Sequence, residues 1–225
     1  MMNKAFFITG TDTGIGKTFI TCALIELMKS QNKIVGGMKP IAAGESIHNG
    51  ISINSDVFDI NRFGNTEPNS LGINTYSYNE AIAPHIASKI NNTPISLLKI
   101  KDHFDSLKKT AEYLFVEGAG GYYVPLGEDI MTSDLISSLN IPIILVAGIR
   151  LGCLNHTMLT VEAIHKNKQK IFGWIANIVD PEMSYQDDSI KYLREKISEP
   201  CIGVVPYIKK NDPLEASHHL IWPAF

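Results

Sequence analysis

The chain has 225 residues, of which 44% are hydrophobic and 19% charged, enough apolar material to bury a sizeable core in one α/β domain; disorder as the main state is excluded. Twenty basic against 23 acidic residues leave a net charge of −3, so no broad electropositive surface exists to neutralise a nucleic-acid backbone. No apolar run reaches the ~18 residues of a membrane span, and the run at residues 5–8 yields to Thr9 too early for a secretory segment, so no membrane association and a cytoplasmic location are expected.

In chain order, an apolar run at residues 5–9 meets a Gly-rich turn at 10–16, and residues 18–29 carry apolar side chains at helical spacing: strand, loop, helix. Further strands are predicted over 34–38, 113–116, 141–147, 171–178 and 201–205, and helices over 95–111, 154–167 and 185–198. The run 141–147 is apolar on successive residues, as expected where helices cover both faces of a sheet. The fold class is therefore α/β, with a mostly parallel central sheet and helices on both faces. The polar stretch 45–77 reads as an elaborated loop with one short helix, and nothing divides residues 1–225 into more than one domain. Three cysteines, Cys22, Cys153 and Cys201, lie in apolar stretches without CxxC spacing and fit a reducing compartment.

Residues 10–18, Gly-Thr-Asp-Thr-Gly-Ile-Gly-Lys-Thr, end in Gly-Lys-Thr between a strand and a helix, the context a P-loop requires. Backbone N–H groups of such a loop converge on phosphate with the helix N-terminus, Lys17 adds a cation, and the Thr18 hydroxyl can ligate Mg²⁺. Five residues separate the first glycine, Gly10, from Gly16, and Thr11 occupies the position where the standard pattern has glycine, which implies a longer, variant loop. Other candidates follow from the rule that ligands gather at the carboxyl ends of the strands. Glu117 ends one strand, ahead of Gly118-Ala119-Gly120, and is placed to face the phosphates. Lys39 closes another and is suited to offset charge on a transferring phosphoryl group. Asp56 is either a metal-facing carboxylate or a first-turn acid of a helix. Asn177 offers a donor and an acceptor to a purine edge or, equally, to backbone groups at its strand end. The segment 148–155 is a second open helix N-terminus that suits a carboxylate or a phosphate, or is a plain connection. The 7 histidines show no metal-site spacing, and no GxSxG is present, so neither zinc nor acyl-enzyme chemistry is expected.

Over nearly its whole length the chain resembles the dethiobiotin synthetases. The resemblance rests on Gly10-Thr11-Asp12-Thr13-x-x-Gly16-Lys17-Thr18, Lys39-Pro40-x-Ala42, Asn54-Ser55-Asp56, Pro84-His85, Val116-Glu117-Gly118-Ala119-Gly120-Gly121, Leu151-Gly152-Cys153-x-Asn155-His156 and Gly173-Trp174-x-Ala176-Asn177. It implies a homodimer of P-loop subunits that joins CO₂ to 7,8-diaminopelargonate, closing the cyclic urea of dethiobiotin while ATP is cleaved. In that family's pattern Lys39 and Lys17 are catalytic, and Thr18, Asp56 and Glu117 surround Mg²⁺. Thr13, Gly14, Ile15, Gly16, Lys17, Thr18 and Phe19 line the phosphates with Gly118, Ala119 and Gly120, while Asn177, Pro206 and Tyr207 border the adenine. Thr13, Lys39, Gly152, Cys153, Leu154 and Asn155 take the substrate, the last four holding its carboxylate from the other subunit. Ala43 replaces a serine that contacts substrate in the family, a loss of ~0.5–1.5 kcal/mol, and Gly14 stands where many relatives carry an acid. The competing reading is a P-loop switch ATPase that regulates a protein partner. Against it, Asp12 occupies the place where many such switches carry a second lysine.

Overall fold

The computed structural model describes residues 3–48, 51–66 and 72–223, without the side chains of 47, 48 and 51. Its centre is a six-stranded sheet formed by β1 (Lys4–Gly10), β2 (Val35–Met38), β7 (Tyr113–Glu117), β8 (Ile143–Ile149), β9 (Ile171–Ile178) and β10 (Cys201–Val205). The order is β10-β9-β8-β1-β7-β2, and every pairing is parallel. Parallel pairing buries both faces, which is why β8 is apolar on every residue. On one face Phe7, Val116, Leu145 and Trp174 pack under α4 (Leu97–Lys108), α5 (Thr132–Leu139), α6 (Cys153–Lys166) and α7 (Gln186–Lys196). On the other, Phe6, Ile8, Phe115 and Val146 pack under α1 (Lys17–Ser30), α2 (Ser55–Phe63) and α8 (Pro213–Ser217).

The expected strands are all present. β8 begins two residues later than the apolar run predicts, because Pro142 has no N–H for the ladder; its carbonyl still accepts from Phe7 N at 2.9 Å. The stretch 45–77 needs correction. It holds the expected helix, α2, but also strands β4 (Ser46–His48) and β5 (Ile51–Ile53), paired antiparallel, and β6 (Tyr76–Tyr78), paired in parallel with β3 (Ile41–Ala43). Three-residue strands of mixed polarity carry no periodicity to read. Residues 49–50 and 67–71 of that stretch lie outside the described residues. Helix α3 (Pro84–Ile90), α5 and α8 were not predicted; all are short, and α3 and α8 start on proline, which sets the first helical φ without a donor to lose.

The consequence for function is where strand ends meet. The chain leaves β1 toward β2 and β7 on one side, then returns to β8, β9 and β10 on the other, so the turn after β1 sits where the connections reverse. Ligands bind at such a point.

Candidate active site

The turn after β1 wraps around the N-terminus of α1. Gly16 occupies the N-cap at φ 80°, and a Cβ there would lie 2.4 Å from Asn177 Nδ2; the close approach and the left-handed backbone both demand glycine. No side chain caps α1, which leaves its first N–H groups directed at the turn, an anion-binding geometry. The turn is held from outside by Thr11 N, which donates to Val146 O at 3.1 Å, and by Asn177 Nδ2, which donates to Ile15 O at 2.8 Å. Asp12 pairs with Arg150 and accepts from Thr13 N at 2.7 Å. Lys17 Nζ donates to Asp12 O at 2.9 Å. Burial, and after it the charge of Lys39, push the Lys17 pKa down to about 8.

Beside the turn lies a buried ionic cluster. Glu117, fully buried at the end of β7, accepts from Thr18 Oγ1 at 2.8 Å, Thr21 Oγ1 at 2.9 Å and Lys39 Nζ at 2.5 Å. Lys39 also pairs with Asp56 Oδ2 at 2.8 Å and donates to Gly118 O at 3.3 Å. A solvated strand-end lysine would not be 3% exposed. Burial works to discharge Lys39, but Glu117 and Asp56 outweigh it and hold its pKa above the usual lysine value. For Asp56 burial opposes ionisation in the same way, and Lys39 overcomes it, holding the carboxyl below the ordinary range. The cap of α2 is Asn54, whose Oδ1 accepts from Asp56 N at 2.9 Å and Val57 N at 3.3 Å; Asp56 is a first-turn acid of that helix, and its carboxylate pairs with Lys39.

Two cavities flank the turn. The smaller, about 380 Å³, runs from Gly14, Gly16, Thr18 and Phe19 to Asn177, Pro206 and Tyr207. The larger, about 830 Å³, is lined by Thr13, Lys17, Lys39, Asp56, Glu117, Ala119 and Gly120, with an apolar wall from Ile41, Ala43, Ile82 and Val124. Gly14, Gly16, Thr18 and Asp56 line both. Ile15 contributes only its backbone, since its side chain is buried. Ala43 presents a methyl group to the larger cavity, and its carbonyl already accepts from Asn54 Nδ2 at 3.1 Å. The turn Gly152, Cys153, Leu154 and Asn155 opens α6 with Gly152 at φ 93°, but lines neither cavity.

Sequence reasoning missed Thr21, whose signal is its place one helical turn after Thr18 on α1. It also missed Cys22, Asp59, Arg62 and Phe63 on the far wall of the smaller cavity, which no motif marks. One hydroxyl and two carboxylates, Thr18, Asp56 and Glu117, make a hard oxygen donor set of the kind magnesium takes.

A family model described as an AAA domain matches residues 4–214. The ATP-dependent dethiobiotin synthetase BioD of Aromatoleum aromaticum is 40% identical over 220 residues, 98% of this chain and 98% of its own. The protein of the same name from Wigglesworthia glossinidia brevipalpis is 41% identical over 225 residues, 99% of this chain and 98% of its own. Among solved structures, the septum site-determining protein MinD with Mg-ADP from Pyrococcus horikoshii aligns over 95% of this chain and 86% of its own, with a TM-score of 0.58. At 16% identity that likeness bears on the P-loop NTPase fold alone.

Proposed function

Since the chain belongs to the ATP-dependent dethiobiotin synthetases, cyclo-ligases of biotin synthesis, we propose that it carboxylates 7,8-diaminopelargonate and closes the ring through a carbamoyl phosphate-type anhydride. The observation that carries this reading is the meeting of Lys39, Asp56 and Glu117 beside a phosphate turn whose Gly14, Gly16 and Thr18 line two cavities. One cavity suits a nucleoside, the other a diamine with an aliphatic chain.

In this reading a substrate amine captures CO₂ and loses a proton to give a carbamate. A carbamate oxygen attacks the γ-phosphoryl group of ATP, the bond to ADP breaks, and the second amine then displaces phosphate from the carbamoyl carbon as the urea closes. No protein nucleophile is needed. Lys17 and Lys39 offset charge on the phosphoryl and carbamate oxygens from fixed positions, which lowers the barrier without reorganisation. Thr18, Asp56 and Glu117 would hold magnesium, which when bound supplies positive charge to the polyphosphate. The amide of Asn177, whose NH₂ supports Ile15 O, keeps its Oδ1 for the amino group of adenine. Pro206 and Tyr207 border the base. Gly152, Cys153, Leu154 and Asn155 of a second copy would hold the substrate carboxylate, since the open N-terminus of α6 is complementary to an anion yet lines neither cavity of its own subunit. A homodimer in the cytoplasm follows from that reading. Among the described residues no helix is long and apolar enough to cross a membrane.

Phosphate release should require both the diamine and bicarbonate; equal turnover without the diamine would sink the proposal. Lys39→Gln should lower product formation ~10²- to 10³-fold while nucleotide affinity stays within a few-fold, as expected of a charge needed in the transition state. Turnover by mass spectrometry and equilibrium nucleotide binding separate the two.

A further inference from the structure

Lys39 stands where the chain leaves the central sheet. Its predecessor Met38 is the last residue of β2 paired with β7, opposite Val116. Pro40 follows and has no N–H, so the ladder cannot continue; the next strand, β3, belongs to the separate two-stranded sheet. The backbone of residues 39 and 40 is held instead by the segment 72–76. Lys39 N donates to Ile73 O at 2.9 Å, and Lys39 O accepts from Asn74 Nδ2 at 2.7 Å. Pro40 O accepts from Thr75 N at 3.1 Å and Tyr76 N at 2.9 Å, and Asn74 Nδ2 also reaches Tyr76 O at 3.0 Å. One carboxamide thus bridges the carbonyl of the lysine and the first residue of β6.

The segment is itself clamped by a histidine from α4. His103 Nδ1 lies 2.8 Å from Thr75 Oγ1 and Nε2 lies 3.2 Å from Gly72 O. A neutral imidazole with its proton on Nε2 satisfies both, donating to the Gly72 carbonyl and accepting from the Thr75 hydroxyl. His103 is 9% exposed, and burial holds its pKa below the usual histidine value, which favours that neutral form.

We propose that Asn74, braced by His103, is a positioning residue for Lys39: it fixes the backbone from which the buried ammonium is presented to the reacting phosphoryl group. The inference rests on the role given to Lys39 above. Lys39 reaches its partners through a four-carbon stem, so the place of its ammonium is only as well defined as its Cα. The sheet that would ordinarily define that Cα ends one residue earlier. A displacement of about 1 Å at a charged group is worth up to ~100-fold in rate.

The test compares Asn74→Ala, Asn74→Asp, His103→Gln, His103→Leu and Lys39→Gln in the full chain. Rates are expressed per nucleotide-binding site, so that loss of folded protein does not count. In Asn74→Ala, kcat for dethiobiotin formation should fall about 30- to 100-fold, with nucleotide Kd within threefold of the parent and a smaller change in KM for the diamine. Asn74→Asp keeps the shape but turns the donor into an acceptor facing Lys39 O, and should fall similarly; it serves if the alanine variant does not fold. His103→Gln retains a donor and an acceptor and should keep kcat within about threefold, whereas His103→Leu should fall with Asn74→Ala. Parent-level kcat in both Asn74 variants, or equal kcat in His103→Gln and His103→Leu, overturns the positioning role while Lys39→Gln remains impaired. Parent-level turnover in Lys39→Gln overturns the role of Lys39 and this inference with it.

Discussion

Lys17 is the residue on which burial and charge act most openly. Its pKa of about 8 lies below the model value of 10.5, because burial and Lys39 both disfavour its ammonium form. The folded chain therefore holds that proton less tightly than the unfolded chain. The charged form costs stability below about pH 8, and stability from this group rises as pH climbs from about 8 to 10.5, by at most ~3 kcal/mol. Nucleotide binding should run the other way, since phosphate favours the ammonium. Affinity should weaken as pH rises above about 8, approaching tenfold per unit, with proton uptake on binding. Calorimetry in buffers of different ionisation enthalpy checks it; affinity flat from pH 7 to 9.5 would contradict the assignment. Lys39 behaves oppositely because two carboxylates touch it, so it stays charged over that range.

At the scale of elements, α2 places the Asp56 carboxylate against Lys39 through its cap. Asn54 accepts from two N–H groups of α2 and donates to Ala43 O and Gly44 O, joining the helix to the end of β3. Asn54→Ala should cost ~1–2 kcal/mol and lower product formation as Asp56 loses its fixed start; urea denaturation with an unchanged m-value is the measure. The same elements show what was readable in the residues. Strands buried on both faces announce themselves by unbroken apolar runs, and the phosphate turn by glycine and lysine at a strand-to-helix junction. Lys39 and Glu117 are singled out because each stands at the end of a strand. Thr21, Asn74 and His103 are not. Thr21 is an ordinary helix residue until Glu117 folds against it, and Asn74 and His103 act across segments whose three-residue strands leave no pattern. Asp56 is open to two readings for a physical reason: it is a first-turn acid of α2 by its place in the chain, and its ion pair with Lys39 is visible only once the chain is folded.

Across the whole molecule, the proposed site residues come from distant points of the chain, Lys17, Lys39, Asp56, Glu117 and Asn177, and lie near one another because parallel strands bring all their carboxyl ends to one edge. The two faces of the sheet are devoted to apolar packing. A chain ended after α5 would retain β1, β2 and β7 but lack the β8 partner of Phe7 to Gly10 and the carbonyl of Val146 that holds Thr11. Such a fragment should show no measurable ATP binding by fluorescence titration; binding near the parent affinity would mean the turn is built by α1 alone. The central position of β1 also bears on biosynthesis. This strand is made before either of its neighbours, since residues 113–117 and 143–149 must be translated before it is enclosed. Until then its run of phenylalanine and isoleucine lacks at least one flanking strand, so the nascent polypeptide depends on shielding of that run by chaperones or by transient collapse.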